Sequence, residues 1–451
     1  MLKYNPLKMY QLKKYKRMKK SNLLSIFLLI SSITFAQFSI DGQFRTRYEY
    51  RNGYMTLPVE NSLPNNLIGQ RSRIIFNYKT DKLTTKLSFQ DTRIWGQSQF
   101  KTNNNSIGIF EAWIKYYFTN YLGIKVGRQV VKYDDQRLFC TGDWRTYGEA
   151  IDVIIVQYHN KDIGFKADFG FGLNNNGDIE TNPWQSSYDL RTTQSKNLTY
   201  LWLNKTALDN KLNLSLMTVM DGNQKADIID TAGNVITFPD KIMYRFTVGP
   251  YIKYKNNKFS VEGAFYYQTG KDPKNNDINA MFYSTKINYQ LMKKFGLFAG
   301  YDHYSGTDYS DPYNTENSTF SNLFGPGHKY LGYMDFFGKP QKHGSGINDL
   351  FFGLTTIPFK GYKTYTAIHI FSLDKGYLKS GTKVDKYLGT ELDIVISKKI
   401  SKLVSLNLGY STMFATGSME QLKGITPGKS TFPGFAWIMF NIQPNFFTSK
   451  N

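Results

Sequence analysis

The links between its amphipathic runs constrain this chain more than any other feature. From residue 38 onward, aromatic and β-branched residues recur at alternate positions. Eighteen such runs lie near 38–52, 69–80, 83–93, 107–119, 121–131, 149–159, 163–173, 197–209, 211–220, 241–255, 257–269, 277–289, 294–304, 348–358, 363–373, 386–398, 402–412 and 433–447. After each even-numbered run the link is tiny, as at Asp81-Lys82, Asn120, Asn210 and Asn256. After the odd-numbered runs it is mostly long, as at 53–68, 132–148, 174–196, 221–240, 413–432 and the 43-residue stretch 305–347. A β-sandwich has no reason to alternate its links in this way. A barrel across a membrane does, with short turns on one side and long loops on the other. The expectation is an all-β chain: a transmembrane antiparallel up-and-down β-barrel of about 18 strands, with short periplasmic turns, long extracellular loops and both termini in the periplasm.

Such strands must close on themselves. In lipid every backbone N–H and C=O has to be paired within the protein, so an open sheet edge is forbidden. Closure at this strand number leaves a bore wide enough for water, which a long loop can narrow. The stretch 305–347 is the candidate lid or constriction within a barrel spanning 37–451.

The first 36 residues read as an export signal. Lys13, Lys14, Lys16, Arg17, Lys19 and Lys20 form a basic segment, Leu23 to Ile33 a short apolar one, and Thr34-Phe35-Ala36 a cleavage site. No later run of about 18 apolar residues exists, which excludes transmembrane helices. The export signal and the barrel rhythm place the chain in the outer membrane of a Gram-negative bacterium, against outer-membrane lipid. Net charge is +21, but nucleic acid is not routinely met there. The single cysteine, Cys140, rules out an internal disulfide framework.

Strand faces describe the bore. Arg45, Arg47, Glu49 and Arg51 share one face of the first run, opposite Phe44, Tyr48 and Tyr50. Arg71, Arg73 and Asn77 oppose Ile74, Phe76 and Tyr78; Glu111 and Lys115 oppose Ala112, Ile114 and Phe118. An arginine facing lipid at mid-membrane costs about 2–4 kcal/mol, so the charged face is the lumen. Arg93 and Arg128 break this pattern, having the parity of apolar neighbours. Beyond the leader, arginine occurs only between Arg45 and Arg245, and the second half carries lysine alone. Arg presents a planar fork and Lys a point charge, so the two halves of the wall differ in how they can hold an anion. Arg-acid pairs bracing the lumen are the plainer explanation, and the two are compatible.

One stretch carries a resemblance. Gly127-Arg128-Gln129, Tyr133 to Phe139, Asp143-Trp144-Arg145, Gly148 and Asp152 resemble the alginate-export outer-membrane porins, as do Arg47 to Arg51, Gln70 to Arg73, Gln90 to Gly96 and Glu111-Ala112-Trp113. The similarity is strong over roughly 40–170. It implies a monomeric eighteen-stranded barrel that passes a polyuronate through an Arg- and Lys-lined, loop-constricted pore. Carried over by position, it implies Arg45, Arg47, Arg71, Arg73, Arg93, Arg128, Arg137 and Arg145 as pore-lining residues, with Lys115 beside them. It implies Asp91, Glu111, Asp135, Asp143 and Asp152 as acids that orient those side chains or gate the path. The chain departs from the family pattern at Glu149, where a basic residue is usual, and at Cys140, where glycine is.

Other chemistry is set aside. Asp134, Asp135 and Asp143 suggest a carboxylate pair or a calcium site, but neighbouring strand residues point to opposite faces. The acidic loop piece 308–314 could bind calcium but lacks the EF-hand spacing, and a solvated outer loop is the plainer reading. No histidine motif, catalytic residue, metal site or cofactor is expected. Trp113 and Trp144 are candidates for stacking on sugar rings. The reading is an anion-selective channel passing an acidic polysaccharide or oligosaccharide by passive diffusion. The alternatives are a general porin for small anions, a secreted or outer-membrane enzyme acting on polysaccharide, and a plugged structural barrel.

Overall fold

A computed structural model describes residues 36–96, 107–174, 195–225, 228–229, 235–237, 241–311, 314–339, 344–379 and 381–449. Residues 1–35, nearly all of the export signal expected over 1–36, lie outside the described residues, as do parts of several long loops.

The wall is built from β1 (Gln37–Asn52), β2 (Asn65–Lys79), β3 (Leu83–Ile94), β4 (Ile107–Tyr117), β5 (Leu122–Gln129), β6 (Ile151–Asn160), β7 (Phe165–Leu173), β8 (Ser195–Ala207) and β9 (Leu212–Gln224). It continues through β10 (Ile242–Lys255), β11 (Phe259–Lys271), β12 (Asp277–Met292), β13 (Phe295–Tyr304), β14 (Ile347–Thr356), β15 (Tyr362–Ser372), β16 (Tyr387–Lys399), β17 (Val404–Ala415) and β18 (Gly434–Ile442). Each strand pairs antiparallel with its sequence neighbours. β1 closes the ring, pairing β2 on one side and β18 on the other, with Arg45 opposite Arg71 and Asn441. Beyond Pro444, which has no N–H to donate, Asn445–Thr448 resumes pairing with β1.

Eighteen strands, close to the expected boundaries, follow from period two and closure together. Phe44, Tyr48, Ile74, Val126, Ile154, Phe265, Ile287, Leu350 and Ile438 are exposed on the outside, where lipid solvates them. The inward positions are buried by something else, namely the long loops. Phe139, Phe320, Met334, Phe336 and Phe337 of the loops pack inside the bore against Tyr200, Phe371 and Phe435 of the wall. Burying each such side chain is worth about 1.5–3 kcal/mol, so the loops are held as a core is held.

Segment 130–150, between β5 and β6, and segment 305–346, between β13 and β14, fold inward side by side. Phe139 bridges Phe324, and their rings stack at 5.3 Å. A short helix, α1 (Gly417–Leu422), lies in the loop before β18; the Thr416 hydroxyl caps it by accepting from the Met419 N–H. No described helix is long and apolar enough to cross a membrane.

Candidate functional site

The inward face of β1 and β2 carries Arg45, Arg47 and Arg71, all nearly or fully buried. Their guanidinium groups do not stand free in the bore. Arg45 donates to the carbonyls of Asp143 (2.5 Å) and Arg145 (2.8 Å), and Arg47 to that of Trp144 (2.5 Å). Arg71 donates to the Asp143 carboxylate at 2.7 Å. Arg73 of β2 and Gln90 of β3 both reach the Tyr147 carbonyl. Arginines on the wall thus grip one loop backbone by its oxygens. Glu49, itself buried, pairs with both Arg47 and Arg51 at about 2.6 Å and steadies the row. Asp143 is 62% exposed to the bore. Desolvation pushes its pKa up, but Arg71 and Arg45 outweigh that and hold the carboxyl below its ordinary range.

The wall at β16, three strands round the ring from β1, does the reverse. Glu391 and Asp393 of β16 are fully buried and accept from loop N–H groups, Met334 to Glu391 at 2.8 Å and Tyr333 to Asp393 at 3.2 Å. Gly332 makes this approach possible. Its φ is +75°, and a Cβ there would sit 2.3 Å from the Glu391 carboxylate. His369 of β15 bridges Asp349 (2.8 Å) and Asp393 (3.5 Å).

Arg137 joins the two loops to that wall. It is held by Asp302 (2.7 Å) and Tyr304 (2.6 Å) of β13 and by Asp135 (3.2 Å), and it lies 3.3 Å over the ring of Tyr330. Lys329 and Tyr330 donate to the Asp135 carbonyl. Asp134 turns the other way, accepting from Trp202 and Ser215. Burial pushes its pKa up to about 6 against those two hydrogen bonds. Asp134 and Asp135 therefore diverge and form no catalytic pair.

Two openings left by the loops among the described residues share lining residues. The larger is about 1160 Å³ and is lined by Arg45, Arg47, Arg51, Arg93, Arg145, Lys329, Lys339 and Lys423 against only Asp143 and Asp335. The smaller, about 360 Å³, mixes Asp134, Asp135, Glu262, Asp302 and Asp349 with Arg137, Lys253, Lys286, Lys329 and His369. Lys329 and Tyr333 line both, so segment 314–339 partitions the bore. Lys423, just after α1, donates to the Phe336 carbonyl at 2.7 Å, and burial brings its pKa down to about 8.

The other residues expected at the pore fall in different places. Glu111 and Lys115 face inward; Glu111 pairs with Lys86, and Lys115 lies 4.5 Å over the Tyr117 ring. Arg145 pairs with Glu149, one turn of loop away. Arg128 and Asp152 pair with each other at 2.6 Å and face outward with Val126 and Ile154. They do not line the bore, as the parity of Arg128 had indicated. Arg93 and Asp91 pair likewise, on the outward register of Gln70 and Ser72, although Arg93 borders the large opening. Trp144 is not free to stack on a sugar: Arg47 covers it at 3.7 Å and His328 stacks on it at 3.6 Å. Lys125 covers Trp113 at 3.9 Å. Cys140 is buried and its thiol pushed up by burial. Among the described residues no cluster of His, Cys, Asp and Glu has metal-binding geometry.

Glu391, Asp393, Asp302, His369 and Lys423 were not anticipated. Glu391 and Asp393 share one strand face, a signal as legible as that of Arg45 and Arg47. His328 left none, since its place depends on how the loop folds.

A family model described as alginate export matches residues 36–424. No curated protein matches the sequence. Among solved structures, Pseudomonas aeruginosa OccD3 (OpdP) is similar at TM-score 0.57 and 14% identity, covering 91% of this chain and 92% of that one. Acinetobacter baumannii OccAB4 gives 0.57 at 11% identity, covering 92% and 99%. Pseudomonas aeruginosa OccK9 (OpdG) gives 0.58 at 9%, covering 91% and 98%. At these identities the likeness is one of fold.

Proposed function

This chain belongs to the alginate export family, as an outer-membrane β-barrel channel and not an enzyme, and from that premise we propose that it passes an acidic polysaccharide or oligosaccharide by passive diffusion. The observation that carries this is the large opening, whose ten charged lining residues are eight Arg or Lys and two Asp. A low-dielectric wall with surplus positive charge concentrates anions, and weak binding at several points lets them leave. The loop segments 130–150 and 305–346 act as the constriction. A single chain encloses a complete bore, so this reading needs no second copy.

The test is electrical. In planar bilayers under a salt gradient the reversal potential should report anion preference, and a polyuronate should block the current where a neutral glucan does not. Equal or greater cation permeability would sink the selectivity. A second reading, a porin for small anions, is favoured by the partition at Lys329 and Tyr333, which narrows the bore. It predicts block by small carboxylates and none by the polymer.

A further inference from the structure

The short-turn end of the barrel carries positive charge that the loops do not use. Of the eight short turns, only 118–121 lacks a lysine. Acids in these turns are few: Asp81, Asp162 and Asp209. Six further lysines sit within one residue of a strand end at this mouth; Lys398 lies 3.7 Å over the Tyr362 ring, and the other five are Lys79, Lys166, Lys255, Lys363 and Lys399, on β2, β7, β10, β15 and β16. All five are exposed, and none of them makes an ion pair among the described residues.

Strand parity gives their direction. Each lies an even number of residues from a buried, inward side chain of its own strand: Lys79 from Arg71, Lys166 from Asp168, Lys255 from Tyr251, Lys363 from His369 and Lys399 from Glu391. The ring therefore points into the aqueous opening and not outward at lipid headgroups. The luminal acids near it are fewer than its lysines: Asp41, held by Asn77 (2.9 Å) and Asn445 (2.7 Å), Asp168, held by His159 (2.6 Å) and Gln157 (2.8 Å), and Glu262, which is paired with Lys253 (3.0 Å).

We propose that this mouth is a capture site for a soluble, linear polyanion arriving from the periplasm, so that loading is asymmetric across the membrane. The proposal rests on the reading of the bore as a path for an acidic polymer. Its chemistry is distinct from that of the arginine wall. Arginine forks are fixed by the loop carbonyls, whereas lysine ammonium groups on flexible stems attract charge without holding one geometry. A ring of such points recruits an acidic chain and lets it slide.

Single barrels in planar bilayers test this, with polygalacturonate added to one side at a time. Sidedness is read by streptavidin on a biotinylated Leu63→Cys, since Leu63 in a long loop is 92% exposed. Block from the short-turn side should need ~10-fold less polymer than block from the loop side. Combining Lys79→Gln, Lys166→Gln, Lys255→Gln, Lys363→Gln and Lys399→Gln should abolish that difference, while the same five changes to Arg preserve it. Heat-modified gel mobility confirms that each variant is a closed barrel. Equal block from both sides of the parent protein overturns the proposal, as does asymmetry that survives the Gln changes. Asymmetry that survives while phosphatidylglycerol binding in nanodiscs is lost assigns the ring to lipid and overturns it as well. Anion preference with symmetric block removes this inference alone; cation preference removes the conduit reading beneath it.

Discussion

The two walls facing the folded loops use charge in opposite senses. On the β1–β2 side, arginines meet loop carbonyls: Arg45 with Asp143 and Arg145, Arg47 with Trp144. On the β16 side, carboxylates meet loop N–H groups: Glu391 with Met334, Asp393 with Tyr333. Each loop backbone is irregular and buried in the bore, so its polar groups need partners. Charged side chains supply them with bonds about twice as strong as neutral ones. The difference teaches that a luminal arginine is not by that fact a substrate contact. Much of the fixed charge here is consumed in making loops behave as wall.

Removing Arg137 should break this arrangement most severely, because it ties segment 130–150 to Asp302 and Tyr304 of β13. Arg137→Met leaves Asp302, about 1% exposed, without its cation. The expected loss is about 3–5 kcal/mol. It should appear as a large fall in the temperature of heat-modified gel mobility, with noisy, enlarged conductance. A silent variant would show that the loop is held by its apolar side chains alone.

Arg47→Met tests the basic wall and should cost less. It removes a charged bond to the Trp144 carbonyl and the cover over that ring, about 1.5–3 kcal/mol. The loop tip should loosen, conductance should rise, and anion preference should change little. A collapse of anion preference with unchanged conductance would return Arg47 to the substrate path.

The barrel was legible in the sequence because its two determinants are local. Period two fixes the faces, and link length fixes the ends. The inward charges of β1 and β2 were legible for the same reason. What they bind was not, since Arg45 and Asp143 are brought together by the fold of segment 130–150, where no periodicity operates. Arg128 and Asp152 show the opposite failure: motif similarity pointed inward while parity pointed outward, and the register follows parity. The lysines at the short-turn mouth were visible throughout but scattered one or two per strand, and they become a ring only on closure.

The smallest effect belongs to Lys423, which lines the large opening without an acid beside it. Burial brings its pKa down to about 8, so it is charged below that value and neutral above. The opening accordingly loses one positive charge as pH rises through about 8, and the anion-to-cation permeability ratio should fall across that interval. Lys423→Met should lower the ratio slightly at neutral pH and flatten the step, and Lys423→Arg should keep the ratio high through pH 9. A step unchanged in Lys423→Met would assign it to another group and leave the large opening's selectivity to its arginines.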